Sequence, residues 1–232
     1  MSPTTAGLVG GAAYLLLTLA WLLAAQPPAP LFLLGWALAV GLFGLFLAGA
    51  ANQVTLARAY LAAPALVYST APGGLRLLAV SVALAGLSDL VDGTIARRLG
   101  VPTRLGGALD PVVDGIFFGA VAIGLALGAA YPLWLAAVVV GRYALPALAG
   151  AVLLGILHRS PELRHTLFGQ LSTALIAVLL GGVALFRGLG QDSRQLVVAA
   201  ELVIPLSTLA VFANLYWSNR AVLGGSAPGP DG

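Results

Sequence analysis

The sequence contains no cysteine and no lysine, and only 8% of its 232 residues are charged. The absence of cysteine excludes disulfide bridges and thiolate-ligated metal sites. A soluble domain carries about 25% charged and about 45–50% apolar residues. Here 60% of the residues are hydrophobic and the mean hydropathy is +1.01, which excludes an ordinary soluble domain. The length fits one domain built from several membrane spans.

Eight apolar stretches predict eight membrane helices, since a bilayer core about 30 Å thick takes about 20 helical residues. They are separated by Pro- and Gly-rich breaks, such as residues 27–30 and 72–74. The third stretch is the weakest span, because Arg58 lies in its first turn. We therefore predict an all-α integral membrane protein. The stretches are residues 7–25, 31–50, 54–70, 77–99, 110–129, 132–157, 166–186 and 195–217.

The arginines predict the orientation in the membrane. With a cytoplasmic N-terminus, seven arginines lie on the cytoplasmic side and three on the other, while Arg142 lies within a span. Cytoplasmic segments carry an excess of basic residues, so we expect a cell inner-membrane protein with this side facing the cytoplasm. The inner set is Arg58, Arg97, Arg98, Arg104, Arg159, Arg164 and Arg220, and the outer set is Arg76, Arg187 and Arg194.

Half of the eight acidic residues lie in one short segment. Asp89 and Asp92 are three residues apart near the end of one span, and Asp110 and Asp114 are four apart at the start of the next. On helices, both spacings put the pair on a single face. The connecting loop lets the two helices run antiparallel, so we expect the two pairs to face each other.

Four carboxylates converging within a membrane need compensation, because burial and neighbouring negative charges both disfavour ionisation. Hard oxygen ligands suit Mg²⁺ or Mn²⁺, and two such ions about 3.5–4 Å apart clamp displacements at phosphorus. We therefore predict two divalent ions per site. The alternative is that each acid lies at the headgroup level and pairs with Arg97, Arg98 or Arg104. Four acidic residues at matching positions on two adjacent spans favour a functional site over separate ion pairs.

The same segment resembles the signature of the CDP-alcohol phosphatidyltransferase family, D-x2-D-G-x2-A-R-x8-G-x3-D-x3-D, at every fixed position. A shorter resemblance is to the family stretch P-N-x-x-T-x-x-R, where this chain has Asn52, Thr55 and Arg58 and replaces the proline by Ala51. The fixed positions of the signature are Asp89, Asp92, Gly93, Ala96, Arg97, Gly106, Asp110 and Asp114.

The resemblance implies a six-helix transferase core, which we place at residues 51–222. It leaves an N-terminal transmembrane hairpin at residues 1–50 and a Gly- and Pro-rich tail at residues 223–232, which we expect to be disordered.

The family resemblance also implies an activity. This is the metal-dependent transfer of a phosphatidyl or other substituted phosphate group from a CDP-linked donor, such as CDP-diacylglycerol, to an alcohol, with release of CMP. It implies that Asp89, Asp92, Asp110 and Asp114 hold the two metal ions, and that Asp114 is the general base for the acceptor hydroxyl. The residues implied in CDP binding are Asn52, Thr55, Gly93, Ala96, Arg97 and Gly106.

The acceptor stays open among glycerol phosphate, phosphatidylglycerol, inositol phosphate, serine and other alcohols. Phosphatidylglycerophosphate synthases often carry a second arginine about eight residues after the first, where this chain has Gly150. Arg142 lies mid-span, where a charge usually faces a cavity or a partner. Glu201 is either that partner or a packing residue, and we favour packing. Our candidate acceptor-binding residues are Arg142, Arg159, Arg164 and Thr173.

Two other functions fit parts of the pattern. One joins a CDP-linked small alcohol to a lipid acceptor. The other is a cation-coupled transporter, since carboxylates within spans also mark ion pathways. Transporters typically show internal repeats, however, and the acidic segment has no second copy.

The expected environment is the lipid bilayer, with no nucleic-acid partner. The Gly- and Ala-rich spans allow close helix packing in a homodimer.

Overall fold

A computed structural model of the chain describes residues 2–99, 104–155 and 167–223, with side chains described for residues 2–87, 109–150, 152, 169–218 and 220. This part of the chain forms eight α-helices and no strand, which confirms the predicted all-α fold. The tail beyond residue 223 and the segment 156–166 lie outside the described residues. The helices are α1 (Thr5–Ala25), α2 (Pro30–Gly44), α3 (Ala50–Thr70), α4 (Leu75–Leu99), α5 (Arg104–Leu127), α6 (Leu133–Gly155), α7 (Leu167–Gly188) and α8 (Arg194–Leu223).

Five segments within the described helices are long and apolar enough to cross a bilayer, which agrees with an integral membrane protein. The first part of α4 and the whole of α2 are apolar but shorter. The five segments are Thr5–Ala25, Leu109–Leu127, Leu133–Gly150, Gly169–Gly188 and Arg194–Ser218.

Helix α3 lies inside the bundle, where it contacts α1, α2, α4 and α5. Thirteen of its 21 residues are buried, including the polar Asn52, Gln53 and Thr55 and the charged Arg58. This explains why the third apolar stretch is the weakest in the sequence. A helix surrounded by protein can carry polar groups that would be costly against acyl chains, provided that they find partners.

Helices α3 and α5 start at the same end of the bundle and run side by side. Thr55 contacts Asp110 near their starts, and Ser69 lies against Gly124 and Gly128 near their ends. A Cβ atom on Gly128 would lie 2.7 Å from the Ser69 carbonyl oxygen, so glycine is required for this approach. We call the end where α3 and α5 begin the acidic end, and the other the opposite end.

The N-terminal hairpin of α1 and α2 covers the side of α3 that faces away from the core. The Tyr14 hydroxyl donates a hydrogen bond to the Gln53 carbonyl oxygen at 2.5 Å, and the Tyr14 ring stacks on Tyr60 with centroids 5.1 Å apart. The Trp36 Nε1 donates to the Ala59 carbonyl oxygen at 2.8 Å. The hairpin therefore packs directly on the helix that carries Thr55 and Arg58.

Candidate functional site

The acidic end brings two of the four predicted aspartates against α3. Asp110 and Asp114 lie one turn apart on α5, as their spacing predicts. The Thr55 Oγ1 donates a hydrogen bond to Asp110 Oδ1 at 3.0 Å, and Arg58 Nη2 lies 3.6 Å from the same oxygen. The Arg58 Nη1 donates to Asp114 Oδ1. One guanidinium therefore contacts both carboxylates.

Burial differs sharply among these three charged side chains. The Arg58 side chain is only 4% exposed, that of Asp114 is 16% exposed, and that of Asp110 is 42% exposed. A buried guanidinium keeps its charge, so it compensates the two carboxylates from the protein side. The more exposed Asp110 remains accessible to a ligand that enters from the acidic end.

Asn52 lies one turn before Thr55 and is also buried, and its Nδ2 donates to the Ala48 carbonyl oxygen at 2.7 Å. The structure thus places both α3 residues of the predicted CDP site close to the start of α5. The remaining predicted site residues lie on described helical backbone, but their side chains are outside the described residues. Gly106 lies on α5, and those on α4 are Asp89, Asp92, Gly93, Ala96 and Arg97.

The carboxylate oxygens of Asp110 and Asp114 are hard donors of the kind that Mg²⁺ and Mn²⁺ prefer. They are the only acidic side chains at the acidic end whose positions the structure describes, and no set of three metal-ligating groups occurs among the described side chains. Because these two carboxylates lie one turn apart and one of them is accessible, they could supply part of the ligand set of a divalent-ion site. The contributions of Asp89 and Asp92 lie outside the described side chains.

Arg142 lies within α6 and is 4% exposed. Its Nη2 donates to the Ser172 hydroxyl of α7, while its Nη1 has no hydrogen-bond partner among the described residues. No ion pair joins Arg142 to Glu201 in the described part of the chain, so the interpretation of Glu201 as that partner is not supported. Thr173, the other described candidate for acceptor binding, directly follows Ser172 in α7. Arg159 and Arg164 lie outside the described residues.

Arg142 is close in the fold to the acidic pair. The next residue, Tyr143, packs against Gly115, where an added Cβ would lie 2.7 Å from the Tyr143 Cβ. Gly115 directly follows Asp114 in α5. The fold therefore places the α6 turn that carries Arg142 beside the α5 turn that carries Asp114.

Sequence reasoning did not assign Arg58 or Ser172 to the site. A signal existed for Arg58, because it occupies the arginine position of the P-N-x-x-T-x-x-R resemblance. Its pairing with Asp110 and Asp114 depends on how α3 and α5 pack, which the sequence spacing does not give. The proposed pairing of the acids with Arg97, Arg98 or Arg104 falls on side chains outside the described residues.

Comparison with known proteins matches residues 48–213, more than two thirds of the chain, to the family described as CDP-alcohol phosphatidyltransferase. The chain is 37% identical over 92 residues to the "Probable cardiolipin synthase (CMP-forming)" of Drosophila melanogaster, covering 39% of this chain and 28% of that protein. It is 38% identical over 78 residues to the "Cardiolipin synthase (CMP-forming)" of Streptomyces coelicolor, covering 34% of each.

A third relative is the "Archaetidylinositol phosphate synthase" of Methanothermobacter thermautotrophicus, 37% identical over 78 residues. That match covers 34% of this chain and 40% of the relative. The chain thus matches 28–40% of the length of these three relatives.

Proposed function

Because the chain belongs to the CDP-alcohol phosphatidyltransferase family, we propose that it transfers a phosphatidyl or other substituted phosphate group from a CDP-linked donor to an alcohol, releasing CMP. CDP-diacylglycerol is the donor that we favour, which places the reaction in phospholipid biosynthesis. The observation that carries the proposal is the contact of Asp110 and Asp114 with Thr55 and Arg58 at the acidic end.

We assign Asp89, Asp92, Asp110 and Asp114 as the ligands of two divalent ions, Mg²⁺ or Mn²⁺. When bound, such ions neutralise the donor pyrophosphate and stabilise the departing CMP. Thr55 holds Asp110 in place by donating to its Oδ1. The residues that we assign to CDP binding are Asn52, Thr55, Gly93, Ala96, Arg97 and Gly106.

Asp114 is the general base in this proposal. Its carboxylate takes the proton of the acceptor hydroxyl while the hydroxyl oxygen attacks the phosphorus farther from cytidine. The bond from that phosphorus to the bridging oxygen breaks, and CMP leaves with the bonding electrons. The ion pair with Arg58 fixes the orientation of the Asp114 carboxylate, which favours a productive geometry for proton transfer.

We place the acceptor beside Arg142 and Thr173, with Arg159 and Arg164 as further candidate contacts. The buried guanidinium has one nitrogen without a hydrogen-bond partner among the described residues, which suits an acceptor that carries phosphate. Two relatives are named for cardiolipin synthesis and one for archaetidylinositol phosphate synthesis. We therefore rank phosphatidylglycerol first, since adding a phosphatidyl group to it gives cardiolipin, and an inositol phosphate second.

The test uses the purified full chain with CDP-diacylglycerol and a panel of phosphatidylglycerol, glycerol phosphate, inositol phosphate and serine. CMP release and the lipid formed are measured with Mg²⁺, with Mn²⁺ and with a chelator. We expect turnover with one acceptor, its loss in chelator and its recovery on adding metal.

Asp110→Asn keeps the shape of the side chain and removes the ligand charge, so we expect it to lower the rate by orders of magnitude. Asp192→Asn, an exposed change at the opposite end, is the matched control and should retain activity. Absence of CMP release with every acceptor in a folded protein would contradict the transfer reaction. Full activity in chelator would contradict the metal assignment alone.

A further inference from the structure

An open cavity of about 510 Å³ lies at the opposite end of the bundle, away from the proposed active site. It is formed by the turn between α5 and α6 and by the residues around the turn between α7 and α8. Its polar lining consists of Tyr131, Arg187, Asp192 and Arg194. None of these residues has a part in the proposed transfer reaction.

The side chains that line the cavity include two positive charges, Arg187 and Arg194, and one negative charge, Asp192. The Arg187 Nε donates to the Ser193 hydroxyl at 3.1 Å, and the Arg194 guanidinium has no hydrogen bond or ion pair with a described residue. Asp192 Oδ1 accepts a hydrogen bond from the Arg194 backbone N–H at 2.9 Å, which caps the start of α8. Neither arginine pairs with Asp192 within the described chain, so two guanidinium groups face one carboxylate that is already hydrogen-bonded.

Tyr131 supplies a second, independent observation that points to a ligand. It is 5% exposed, lines the cavity, and its buried hydroxyl has no hydrogen-bond partner among the described residues. The pKa of Tyr131 is raised above its ordinary value, mainly by burial and to a lesser extent by the nearby Glu201 carboxylate. A tyrosine hydroxyl is protonated at neutral pH even at its ordinary pKa of about 10, so it can donate to an anion. A buried donor left without a partner is costly.

Helix geometry adds to this preference for anions. Helices α6 and α8 begin at Leu133 and Arg194, on either side of the cavity. The first N–H groups of a helix have no partner within that helix, and the helix dipole favours negative charge there.

The surroundings of the cavity are apolar. Leu127, Leu133, Trp134 and Leu189 flank the two turns, and each is at least half exposed. Helix α5 has 24 residues and so spans about 36 Å at 1.5 Å per residue, which places these turns at the far membrane surface. Charged groups next to exposed apolar side chains match the boundary between lipid headgroups and acyl chains.

We infer that this cavity binds the phosphate group of a negatively charged phospholipid from the membrane leaflet at the opposite end. Arg187 and Arg194 contact the phosphate, Tyr131 donates to one of its oxygens, and the apolar rim lies against the acyl chains. Free inorganic phosphate offers the same charged group without the acyl chains, so the experiment compares the two sources.

The test measures retention of phosphatidylserine by the full chain in detergent, using native mass spectrometry and a titration with fluorescent lipid. Phosphatidylcholine and inorganic phosphate are the comparison ligands. One charge-assisted hydrogen bond contributes about 1.5–3 kcal/mol, so the double variant Arg187→Gln/Arg194→Gln should bind phosphatidylserine at least about tenfold more weakly. Tyr131→Phe, which removes only the hydroxyl, should weaken binding severalfold.

Arg76→Gln is the matched control, because it removes one positive charge at the same end without touching the cavity lining. It should bind phosphatidylserine nearly as the unmodified chain does. Equal loss in Arg76→Gln, or unchanged binding in both the double variant and Tyr131→Phe, would overturn the inference. Displacement of the lipid by millimolar inorganic phosphate would contradict the assignment of a phospholipid, rather than free phosphate, as the bound ligand. Because the readout is lipid retention, its result does not depend on the transferase reaction.

Discussion

Among the side chains that the structure describes, Arg58 is the positively charged one that contacts both Asp110 and Asp114 at the acidic end. It is almost fully buried, whereas Asp110 is partly open to the solvent. Removing the guanidinium takes away a buried positive charge that contacts both carboxylates, and breaking such a group is costly. The contribution of Arg58 should therefore be largest when no metal ion shares the carboxylates.

We expect Arg58→Gln to lower the free energy of unfolding in chelator by about 1–3 kcal/mol, less than for a fully buried pair because Asp110 is exposed. Mg²⁺ should recover more stability in this variant than in the unmodified chain, because the ion replaces the lost charge. Denaturant titration in detergent, with and without Mg²⁺, measures both effects. Arg220→Gln, an exposed change in α8, is the control. Equal stability of Arg58→Gln and Arg220→Gln in chelator would contradict this role.

The Arg142→Ala substitution distinguishes acceptors that carry phosphate from neutral acceptors. If the acceptor carries phosphate, Arg142→Ala should raise the acceptor KM far more than the donor KM. A charge-assisted hydrogen bond contributes about 1.5–3 kcal/mol, which corresponds to about a tenfold to hundredfold change in KM. Paired KM measurements at a fixed metal concentration test this.

Ser172→Ala serves as the comparison for Arg142→Ala, because it removes the hydroxyl partner of Arg142 and keeps the guanidinium. Its effect on the acceptor KM should be smaller. An unchanged acceptor KM in folded, active Arg142→Ala would exclude Arg142 as the phosphate contact and leave Arg159 and Arg164 as the next candidates.

At the scale of helices, the contact between α1 and α3 depends on the absence of a side chain at Gly10. A Cβ atom there would collide with the Gln53 Oε1. The Gln53 side chain is buried and donates from Nε2 to the Gly44 carbonyl oxygen at 2.9 Å and to that of Leu47 at 3.2 Å. Moving Gln53 therefore disturbs bonds that tie α3 to the hairpin.

We expect Gly10→Ala to lower the free energy of unfolding by about 1–2 kcal/mol relative to Gly35→Ala, because overpacking outweighs the gain in helix propensity. Gly35 has no atom within 4 Å of an added Cβ, which makes it the matched control on the same hairpin. Transferase activity should fall in Gly10→Ala and persist in Gly35→Ala. Matching stabilities and activities in the two variants would show that the hairpin contact does not constrain α3.

Hydrophobic length was enough to predict eight helices, but α2 ends at Gly44 rather than at residue 50, and α3 begins at Ala50 rather than at residue 54. The four-residue spacing was enough to put Asp110 and Asp114 on one face. The interior position of α3 was less visible, because its many small Ala residues and its polar groups weaken the signal for a span. Only its packing among four other helices shows why these groups are tolerated. The contact of Arg58 with Asp110 and Asp114 joins residues more than 50 positions apart, and helical periodicity carries no information about such a pair.

For the whole molecule, the arginine distribution predicts that the acidic end faces the cytoplasm. The absence of cysteine allows a direct test with single introduced thiols. Gln191→Cys lies at the opposite end between α7 and α8, and Ser218→Cys lies near the end of α8. Both positions are exposed.

A membrane-impermeant maleimide should label Gln191→Cys in intact cells and should label Ser218→Cys only after the membrane is opened. The unmodified chain is the blank. The reverse pattern of labelling would invert the orientation and place the proposed active site outside.

The interior position of α3 also has a consequence for biosynthesis. Asn52, Gln53 and Arg58 make α3 partition poorly into lipid alone, since an arginine costs up to about 2.5–3.5 kcal/mol on insertion scales when it lies at the centre of a helix, and Arg58 is the ninth of the 21 residues of α3. The hairpin of α1 and α2 is translated before α3 and presents Tyr14 and Trp36 to it. The hairpin would then act as an intramolecular insertion partner. A topology reporter placed after Thr70 should show efficient insertion of α3 when the hairpin precedes it and frequent failure when α3 is expressed alone.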